Sequence, residues 1–340
     1  MLPSLAVAEA LEERGAKVTF AGSPGRVEAR LVPEAGFELD TFQVSGLPRR
    51  PTPALARAVG QALRAPRACR RILRDRKPDV VLGGGGYVAG PMIYAASRQG
   101  IPAALMEADA HFGLANRLAA HFATRVFLAF PIEGRDGPKY RVTGRPIPVR
   151  NRPTSRAEGR GVFDLPPRAS VLLVFGGSQG AASLNELVVE SFGATGPAIL
   201  HLTGERDYER LRGRVSREDY KLLPFTDQFG SALAAADLVL ARAGGAVWEI
   251  AAAGKPAILV PYPFATSDHQ SKNARYFEQA GGAITVPETE LGRVADLARS
   301  LLGDSDRLRE MGEAMQRVAR TDAADQIAEE LLALARGADA

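Results

Sequence analysis

The stretch Val171-Leu-Leu-Val-Phe-Gly-Gly-Ser-Gln-Gly-Ala181 joins a continuous apolar run to a glycine-rich turn, and helix-forming residues 183–192 follow it. A short apolar run bounded by glycine is typical of a strand buried on both faces. Glycines let backbone N–H groups approach a ligand, and the start of the following helix favours a negative charge. The stretch therefore predicts a strand–loop–helix unit with a phosphate-binding loop. A tight turn that merely requires glycine is the alternative, and no Gly-Lys-Ser/Thr follows to make it a P-loop.

The same alternation of strands and helices extends along the chain. We predict strands at residues 18–22, 37–42, 79–83, 103–107, 125–130, 171–175, 198–202, 238–241 and 257–260, and helices at 5–14, 114–123, 183–192, 247–253 and 268–280. This alternation favours an α/β fold with parallel sheets covered by helices on both faces. Two doubly wound, Rossmann-like domains with a cleft between them are expected.

The domain boundary is predicted from composition. Residues 145–168 are rich in proline and arginine and carry no apolar period. We interpret 1–146 as the first domain, 147–168 as a linker and 169–340 as the second domain, with the last helix packing back toward the first.

The first helix begins almost at residue 1, with no strand ahead of it. Pro3 suits the first turn of a helix and Gly15 suits its C-terminal end. Because the first strand of a doubly wound sheet is usually central, we expect the first domain to lack the middle strand of its sheet.

Composition limits the classes of function. Of 340 residues, 46% are hydrophobic and 24% charged, which excludes a disordered or fibrous chain. No run approaches 18 apolar residues, so no membrane span is predicted. The single cysteine, Cys69, excludes an intramolecular disulfide and a multi-thiolate metal site and fits a reducing cytoplasm. The four histidines lack metal-ligand spacing, so we expect neither a metal nor a cofactor.

Positive charge is concentrated between Arg49 and Lys77, where ten basic residues stand against one acid, Asp75. Interleaved apolar residues make the segment typical of a helix that binds an anionic surface, and Pro66 predicts two short helices rather than one. The arginines expected to dock on a membrane are Arg64, Arg67, Arg70, Arg71 and Arg74. A solvated helix face is the alternative. Nucleic acid is not expected as a partner, because aromatic residues are not interleaved.

A second glycine-rich turn, residues 83–91, follows a predicted strand. Gly84, Gly85 and Gly86 precede Tyr87, which we expect to project from a surface that a bulky polar ligand approaches closely. A merely flexible turn is the alternative.

A third glycine-rich segment, residues 241–254, brings Glu249 into the early turns of a helix. A carboxylate can accept two hydroxyl donors, as a ribose diol offers, although Glu249 as a helix cap is the alternative. His269 and Gln270 follow in a polar cluster at 261–274, where imidazole and amide groups can bind sugar hydroxyls. For His269, an ordinary position at a helix start is the alternative.

These elements, in this order, resemble the MurG family of cell-wall glycosyltransferases over almost the whole chain. The matching residues are Pro-Ser-Leu-Ala-Val-Ala at 3–8, Glu-Ala-Gly at 34–36, Ser-Gly-Leu at 45–47, Pro-Asp-Val-Val-Leu-Gly-Gly-Gly-Gly-Tyr-Val-Ala-Gly-Pro at 78–91, Gly-Gly-Ser-Gln-Gly-Ala at 176–181, Trp-Glu-Ile-Ala-Ala-Ala-Gly-Lys-Pro at 248–256, Asp-His-Gln at 268–270 and Asn-Ala at 273–274. The resemblance implies a metal-independent, inverting GT-B enzyme. Such an enzyme moves N-acetylglucosamine from UDP-N-acetylglucosamine to the C4 hydroxyl of the muramyl sugar of lipid I, an undecaprenyl-diphosphate-linked muramyl pentapeptide. The product is lipid II for peptidoglycan.

The resemblance also implies site residues. On the donor side, Ser178 and Gln179 would contact the diphosphate, Thr226 the uracil, Glu249 the ribose, and His269 and Gln270 the sugar hydroxyls, while Gly180 and Ala246 complete the set. Ala246 stands where the family prefers Ser or Thr. On the acceptor side the implied residues are Tyr87, Gly84, Gly85, Gly86, Ser45 and Asp109.

The chain departs from the family pattern in several places. The family's first loop, Gly-Gly-Thr-x-Gly-His, would lie just upstream of Met1, and its histidine is the family's candidate base. A start codon assigned too far downstream is our hypothesis for this difference. Glu107 is retained from the family's His-Glu-Gln-Asn stretch and is the catalytic candidate within this sequence, while Asp109 replaces the asparagine. The family's donor-site arginine aligns with Arg150 only through a gap.

The resemblance finally implies a peripheral enzyme at the cytoplasmic face of the plasma membrane. Its expected partners are an anionic membrane surface and proteins of cell-wall or division assembly, with roles in cell shape and the cell cycle. Another GT-B lipid glycosyltransferase is one alternative, which the 83–91 segment argues against. A truncated, non-catalytic UDP-sugar-binding protein is the other, and it would bind UDP but transfer no sugar.

Overall fold

The computed structural model describes residues 1–44, 53–177 and 179–337. The chain divides into two compact units. Unit 1 comprises Met1–Pro148 together with Thr321–Ala340, and unit 2 comprises Val149–Arg320.

The parallel strands of unit 1 form two sheets. Its elements are α1 (Leu2–Glu13), β1 (Thr19–Gly22), α2 (Val27–Glu34), β2 (Glu38–Thr41), α3 (Pro53–Arg76), β3 (Val81–Gly83), α4 (Gly86–Ser97), β4 (Ala103–Glu107), α5 (Leu114–Ala120), β5 (Arg125–Leu128) and β6 (Tyr140–Val142). One sheet is β1–β2 and the other is β3–β4–β5–β6, and no ladder among the described residues joins them. The strands of the described residues thus form two sheets rather than one continuous doubly wound sheet, in line with the expectation that the middle strand is lacking.

Unit 2 contains one six-stranded parallel sheet. Its elements are α6 (Arg156–Val162), β7 (Val171–Phe175), α7 (Ala182–Phe192), β8 (Ala198–Leu202), α8 (Glu205–Leu211), β9 (Tyr220–Leu223), α9 (Phe229–Ala235), β10 (Leu238–Ala241), α10 (Val247–Ala252), β11 (Ala257–Leu259), α11 (His269–Gln279), β12 (Ala283–Thr285), α12 (Val294–Leu302) and α13 (Ser305–Val318). The strand order is β12–β11–β10–β7–β8–β9. This is the doubly wound order, in which the chain switches direction between β7 and β10.

The last helix, α14 (Ala323–Ala335), belongs to unit 1 and packs on α1. Small side chains make the contact close, since Ala6 and Ala10 of α1 meet Ala324 and Ala328. At the end of α1, Arg14 Nη2 donates to Asp325 Oδ1 at 2.9 Å.

The nine predicted strands are all present, with ends shifted by at most two residues, and the α/β prediction is confirmed. Strands β6, β9 and β12 were not predicted. Each is the edge strand of its sheet and is only partly buried. Their sequences do not stand out as the continuous apolar runs of the buried central strands do.

The prediction that Pro66 divides the basic segment is wrong, because α3 is a single helix through that residue. Ala65, Cys69 and Leu73 form one buried face that continues across Pro66. Packing of this face on the core outweighs the cost of an interior proline, about 3 kcal/mol. Burial also raises the pKa of the Cys69 thiol to about 12.

The segment expected as a linker is largely part of unit 2, since the boundary lies at Val149. It contains α6, whose N-terminus carries a capping box: Ser155 Oγ accepts from Glu158 N at 3.3 Å, and Glu158 Oε2 accepts from Ser155 N at 3.0 Å. A Cβ on Gly159 would lie 2.4 Å from Ser231 O of α9, so the two helices pack closely. The capping box was the signal in the sequence, but helix α6 is too short to show an apolar period.

A buried polar network joins α7, β8 and β9. His201 is fully buried; its Nδ1 lies 2.9 Å from the Tyr220 hydroxyl and its Nε2 lies 3.0 Å from Asn185 Oδ1. Asn185 Nδ2 donates to Thr203 O and to Asp207 Oδ2, both at 2.9 Å, so its oxygen faces the imidazole. His201 Nε2 therefore carries the hydrogen. Burial lowers the pKa of His201 to about 3.

We expect His201 to make unit 2 acid-sensitive. Between its ordinary pKa of about 6.5 and the folded value of about 3, the unfolded chain binds a proton that the folded chain does not. The contribution of neutral His201 to the free energy of unfolding is complete above pH 6.5. Below that pH it declines by about 1.4 kcal/mol per pH unit. Relative to His201→Gln, the wild-type free energy of unfolding should fall more steeply over this range. Fluorescence of Trp248, the single tryptophan and a residue of unit 2, reports it in urea titrations. Parallel pH slopes would contradict the assignment.

Candidate functional site

The loop at residues 176–181 lies at the carboxyl end of β7, beside the switch point of the unit 2 sheet. Its backbone is packed too closely for side chains at two positions. A Cβ on Gly180, whose φ is +72°, would lie 2.2 Å from Thr203 O, and a Cβ on Gly176 would lie 2.3 Å from Ala181 Cβ. Gly180 thus lets the loop pack against the segment after β8, and Gly176 lets the loop close on itself.

The start of α7, directly after this loop, suits an anion. Its N-cap is Ala181, and no side chain among the described residues caps it. The first-turn N–H groups therefore remain for an anionic ligand. Gln179 is exposed at the turn. Ser178, predicted to contact a diphosphate, lies outside the described residues.

Glu249 lies in the first turn of α10, after β10 on the other side of the switch point. It is only 8% exposed, and its Oε1 accepts a hydrogen bond of 2.7 Å from Asn151 Nδ2. Ala246 is the N-cap of this helix and offers no side-chain cap. Asn151 thus holds one oxygen of the carboxylate that was predicted to bind a diol.

Sequence reasoning missed Asn151, which lies in a short 3-10 helix, Val149–Asn151, within the segment expected as a linker. Its neighbour Arg150 is exposed, whereas Asn151 is buried. No local pattern distinguishes the two, because the partner Glu249 is 98 residues away.

His269 and Gln270 begin α11, as predicted. Gln270 Oε1 accepts from Tyr262 N at 2.9 Å, and a Cβ on Gly244 would lie 4.0 Å from Gln270 Nε2. His269 Nδ1 lies 2.8 Å from Thr266 O, which can only accept, so Nε2 is the acceptor of the neutral ring. Gln270 is thereby held beside the loop after β10.

The turn before His269 has an uncommon backbone. Ser267 and Asp268 both have φ of +54°, a left-handed conformation that costs energy in residues other than glycine. Such strain is often found at ligand sites. The turn brings His269 and Gln270 to the carboxyl edge of the sheet.

Thr226 follows β9, two strands from β7 on the side away from β10. Its Oγ1 accepts from Gln228 N at 3.1 Å. The loops after β8 and β9 are joined by a hydrogen bond of 3.0 Å from Gly204 N to Pro224 O. A role of Thr226 toward uracil stays a prediction.

In unit 1, Glu107 ends β4 and is 8% exposed. Three N–H donors reach its carboxylate: Asn116 Nδ2 at 2.8 Å and Gly113 N at 3.2 Å to Oε2, and Asp109 N at 3.3 Å to Oε1. Burial raises the pKa of Glu107, and these hydrogen bonds lower it only in part, so the net shift is upward.

The glycine turn of unit 1 lies beside Glu107. Gly85 has φ of +90°, and a Cβ there would lie 3.2 Å from Met106 O and 3.4 Å from Asn116 Nδ2. Asn116 therefore contacts both the turn and Glu107. The structure thus brings Gly85, Glu107 and Asp109 together.

The turn is shorter than the sequence indicated, because α4 begins at Gly86 and contains Pro91. Tyr87 consequently lies in the first turn of α4, where it is half-buried against the core rather than projecting. A Cβ on Gly84 would lie 2.4 Å from Ser4 Oγ of α1. Ser45, also expected on this side, lies outside the described residues.

The exposed face of α3 is basic. Arg64, Arg67, Arg70, Arg71 and Arg74 are all exposed. Within the described residues only Arg71 of these has an ion-pair partner, Asp75 at 3.8 Å. Arg76 differs, because it pairs with Glu38 and Asp40 of β2 and so has a structural role.

An apolar stripe lies on α5 and just beyond it, and α4 packs against both α3 and α5. Leu114, Leu118 and Phe122 are 71%, 60% and 42% exposed. Helical spacing of four residues places the three on one face. On α3, Leu63 is 74% exposed.

Across residues 1–44, 53–177 and 179–337, no three His, Cys, Asp or Glu side chains are grouped to hold a metal ion. No helix in these ranges is long and apolar enough to cross a bilayer.

Two family models match the chain. The glycosyltransferase family 28 N-terminal domain matches residues 1–128, and the family 28 C-terminal domain matches residues 171–327.

Curated relatives match over more than nine tenths of their length. The UDP-N-acetylglucosamine--N-acetylmuramyl-(pentapeptide) pyrophosphoryl-undecaprenol N-acetylglucosamine transferase of Halothermothrix orenii is 38% identical over 338 residues, covering 94% of this chain and 91% of the relative. The protein of the same name from Acidithiobacillus ferrooxidans is 41% identical over 351 residues, covering 100% and 96%.

Solved structures are similar as well. MurG of Acinetobacter baumannii matches with a TM-score of 0.76 and 28% identity over 97% of this chain and 95% of that one. UDP-GlcNAc 2-epimerase from Neisseria meningitidis, with a TM-score of 0.67 and 14% identity, shares the fold.

We expect Asn116→Ala to raise the pKa of Glu107 further, because it removes an N–H donor that favours the charged carboxylate. Carboxyl ¹³C NMR titration of the labelled protein measures the shift. Glu158 of the α6 capping box serves as the internal control and should titrate unchanged. An unaltered Glu107 titration would contradict the role given to Asn116.

Proposed function

The chain belongs to glycosyltransferase family 28 and, within it, to the MurG family, and we propose that unit 2 binds its sugar donor and unit 1 its lipid acceptor. It is an N-acetylglucosamine transferase that uses UDP-N-acetylglucosamine and lipid I and makes lipid II for peptidoglycan.

One observation carries the donor assignment. The glycine loop and Glu249 follow β7 and β10, the two strands that flank the switch point of the unit 2 sheet. Ligands of doubly wound sheets bind at this point. The N–H groups of the loop and of the start of α7 hold the diphosphate, and Glu249 accepts hydrogen bonds from the ribose hydroxyls. His269 and Gln270 contact the sugar hydroxyls, and Thr226 lies toward the uracil.

The transfer forms a bond between the acceptor hydroxyl oxygen and the anomeric carbon and breaks the bond from that carbon to the UDP diphosphate. Negative charge grows on the leaving diphosphate during this step. Backbone N–H groups of Gly176, Gly177 and residues 179–181, together with the start of α7, stabilise it. The proton of the acceptor hydroxyl must pass to a base.

Glu107 is the base that we propose within unit 1. Its raised pKa makes it a better proton acceptor near neutral pH than an ordinary carboxylate. Asp109 N occupies one lone pair of Oε1, which leaves that oxygen acceptor capacity. If Glu107 is the base, Asn116→Ala also moves the acidic limb of kcat/KM to higher pH.

Docking on a membrane is proposed from the exposed faces of α3 and α5. Leu63, Arg67, Arg70 and Arg74 share one stripe of α3, since their spacing repeats every three to four residues. Basic side chains beside exposed leucines suit anionic headgroups and the acyl boundary. Attachment at the cytoplasmic face of the plasma membrane stays a prediction, as do partners in cell-wall and division assembly.

The purified chain should transfer N-acetylglucosamine to lipid I, and Glu249→Ala should raise the donor KM by the equivalent of about 1–3 kcal/mol without changing the acceptor KM. Asn151→Ala should act in the same direction and less strongly, because it frees the carboxylate without removing it. Wild-type protein should prefer UDP to 2′-deoxy-UDP, and Glu249→Ala should lose that preference.

Exposed Glu290, also in unit 2, provides the control Glu290→Gln, which should behave as wild type. Absence of transfer to lipid I by the wild-type chain would overturn the assigned reaction in this polypeptide. An unchanged donor KM in Glu249→Ala would remove Glu249 from the site.

Binding to vesicles containing anionic phospholipid should weaken when Arg67, Arg70 and Arg74 are replaced together by Gln. About 1 kcal/mol per arginine is expected near such a surface. Wild-type binding should also weaken with salt. Replacing exposed Arg206, Arg212 and Arg307 of unit 2 by Gln is the matched control. If both triple variants bind the vesicles equally, or if wild-type binding does not depend on salt, the arginines of α3 form an ordinary solvated helix face.

A further inference from the structure

A buried arginine joins the segments that carry the donor site. Arg242 directly follows β10 and is 8% exposed. Its Nη1 donates to Val260 O at 3.2 Å and Pro261 O at 3.3 Å, just after β11, and its Nη2 donates to Ser183 Oγ at 3.0 Å, in the first turn of α7. One guanidinium thus bonds to groups that follow β7 and β11.

The charge of Arg242 is balanced by Glu288, which opens a short 3-10 helix after β12. Arg242 Nη1 donates to Glu288 Oε2, and Ser183 Oγ donates to Glu288 Oε1. Burial raises the pKa of Glu288, but the hydrogen bonds from Arg242 and Ser183 outweigh it and leave the pKa below its ordinary value. The carboxylate is therefore ionised at neutral pH, and Arg242, Ser183 and Glu288 form a closed cluster.

The cluster connects the parts of the proposed donor site. Ser183 follows the glycine loop 176–181 by two residues, and Arg242 precedes the turn that leads to Glu249. The guanidinium carbon of Arg242 lies 5.6 Å from the centre of the Tyr262 ring, and Tyr262 N donates to Gln270 Oε1. Contacts thus run from the diphosphate loop through Arg242 to the sugar-binding residue Gln270.

We propose that Arg242, held by Glu288 and Ser183, is a positioning residue that sets the spacing between the diphosphate loop and the loop bearing His269 and Gln270. The proposal rests on the donor site described above. None of the three side chains is assigned a contact with the donor, and they act through the backbone of the two loops. Misplacing either loop weakens groups that must bind one donor molecule together.

The opposite end of β10 supplies a matched control. Asp237 immediately precedes β10, and its Oδ2 accepts a hydrogen bond of 2.8 Å from Arg160 Nη2. Arg160 is 3% exposed and also donates to the carbonyl oxygens of Ala235, Pro166 and Pro167. Both ion pairs flank β10 and bury the arginine, but only the Arg242 pair lies at the edge that bears the donor loops. Asp237 also pairs with Arg156 at 2.7 Å and accepts from Val171 N at 2.8 Å, so its replacement removes more contacts than that of Glu288 and is a strict control for a general loss of stability.

The experiment compares Glu288→Gln with Asp237→Asn in the full chain. Each variant removes a carboxylate charge from a buried arginine, so both should lose stability when unfolding is followed by Trp248 fluorescence. Calorimetry measures the Kd for UDP, and steady-state assays measure the KM for donor and acceptor. We expect Glu288→Gln alone to raise the UDP Kd and the donor KM about tenfold, with an unchanged acceptor KM.

Ser183→Ala is the milder variant, because it removes a hydroxyl without leaving a buried charge unpaired. It should also raise the UDP Kd, and it tests the positioning role of Arg242 if Glu288→Gln fails to fold. If Glu288→Gln folds and binds UDP with wild-type affinity, the positioning role is overturned but the donor site is not. If Glu288→Gln does not fold, wild-type affinity for UDP in Ser183→Ala has the same meaning. Equal losses of affinity in Glu288→Gln and Asp237→Asn would also overturn the positioning role, because they would show a general effect of stability. Failure of the wild-type chain to bind UDP would overturn the donor site and this proposal with it.

Discussion

β10 pairs with β7 in parallel, from Leu238 opposite Leu172 to Ala241 opposite Phe175, and the arrangement of unit 2 depends on this pairing. The two strands are separated by β8 and β9 along the chain, so their contact reverses the direction in which the sheet grows. Loops that leave β7 and β10 must then diverge to opposite faces and open a crevice. The glycine loop and the start of α10 lie at that crevice because of the pairing.

Three buried polar side chains near β10 and β8 are held by specific partners. Arg242 and Arg160 each combine a carboxylate with backbone carbonyls, and His201 is held neutral between Tyr220 and Asn185. Burying an unpaired charge would cost several kcal/mol. The hydrogen bonds that satisfy each buried arginine therefore fix the positions of its partners, because a guanidinium bonds its partners in one plane. The positions of the donor-site loops depend on the hydrogen bonds of the buried arginine, Arg242.

Unit 1 is organised differently, around contacts between distant parts of the chain. Its strands make two sheets, and α1 is covered by α14, which lies about 310 residues later. The basic face of α3 and the apolar stripe of α5 remain exposed because the buried sides of both helices already face the core. One side of α3 and of α5 thus packs on the core, and the other side of each helix stays available to contact a membrane surface.

The nine predicted strands, the glycine turns and the positions of Glu249, His269 and Gln270 could be found from the sequence, because apolar runs and glycines act within a few residues. The edge strands β6, β9 and β12, the uninterrupted α3, the partner Asn151 of Glu249 and the Arg242–Glu288–Ser183 cluster could not. Pro66 is tolerated only because packing on the core offsets it, and Asn151 and Glu249 are 98 residues apart. Local patterns determine which segments become strands and turns. Contacts between distant segments, whose energies depend on burial, decided which polar groups meet.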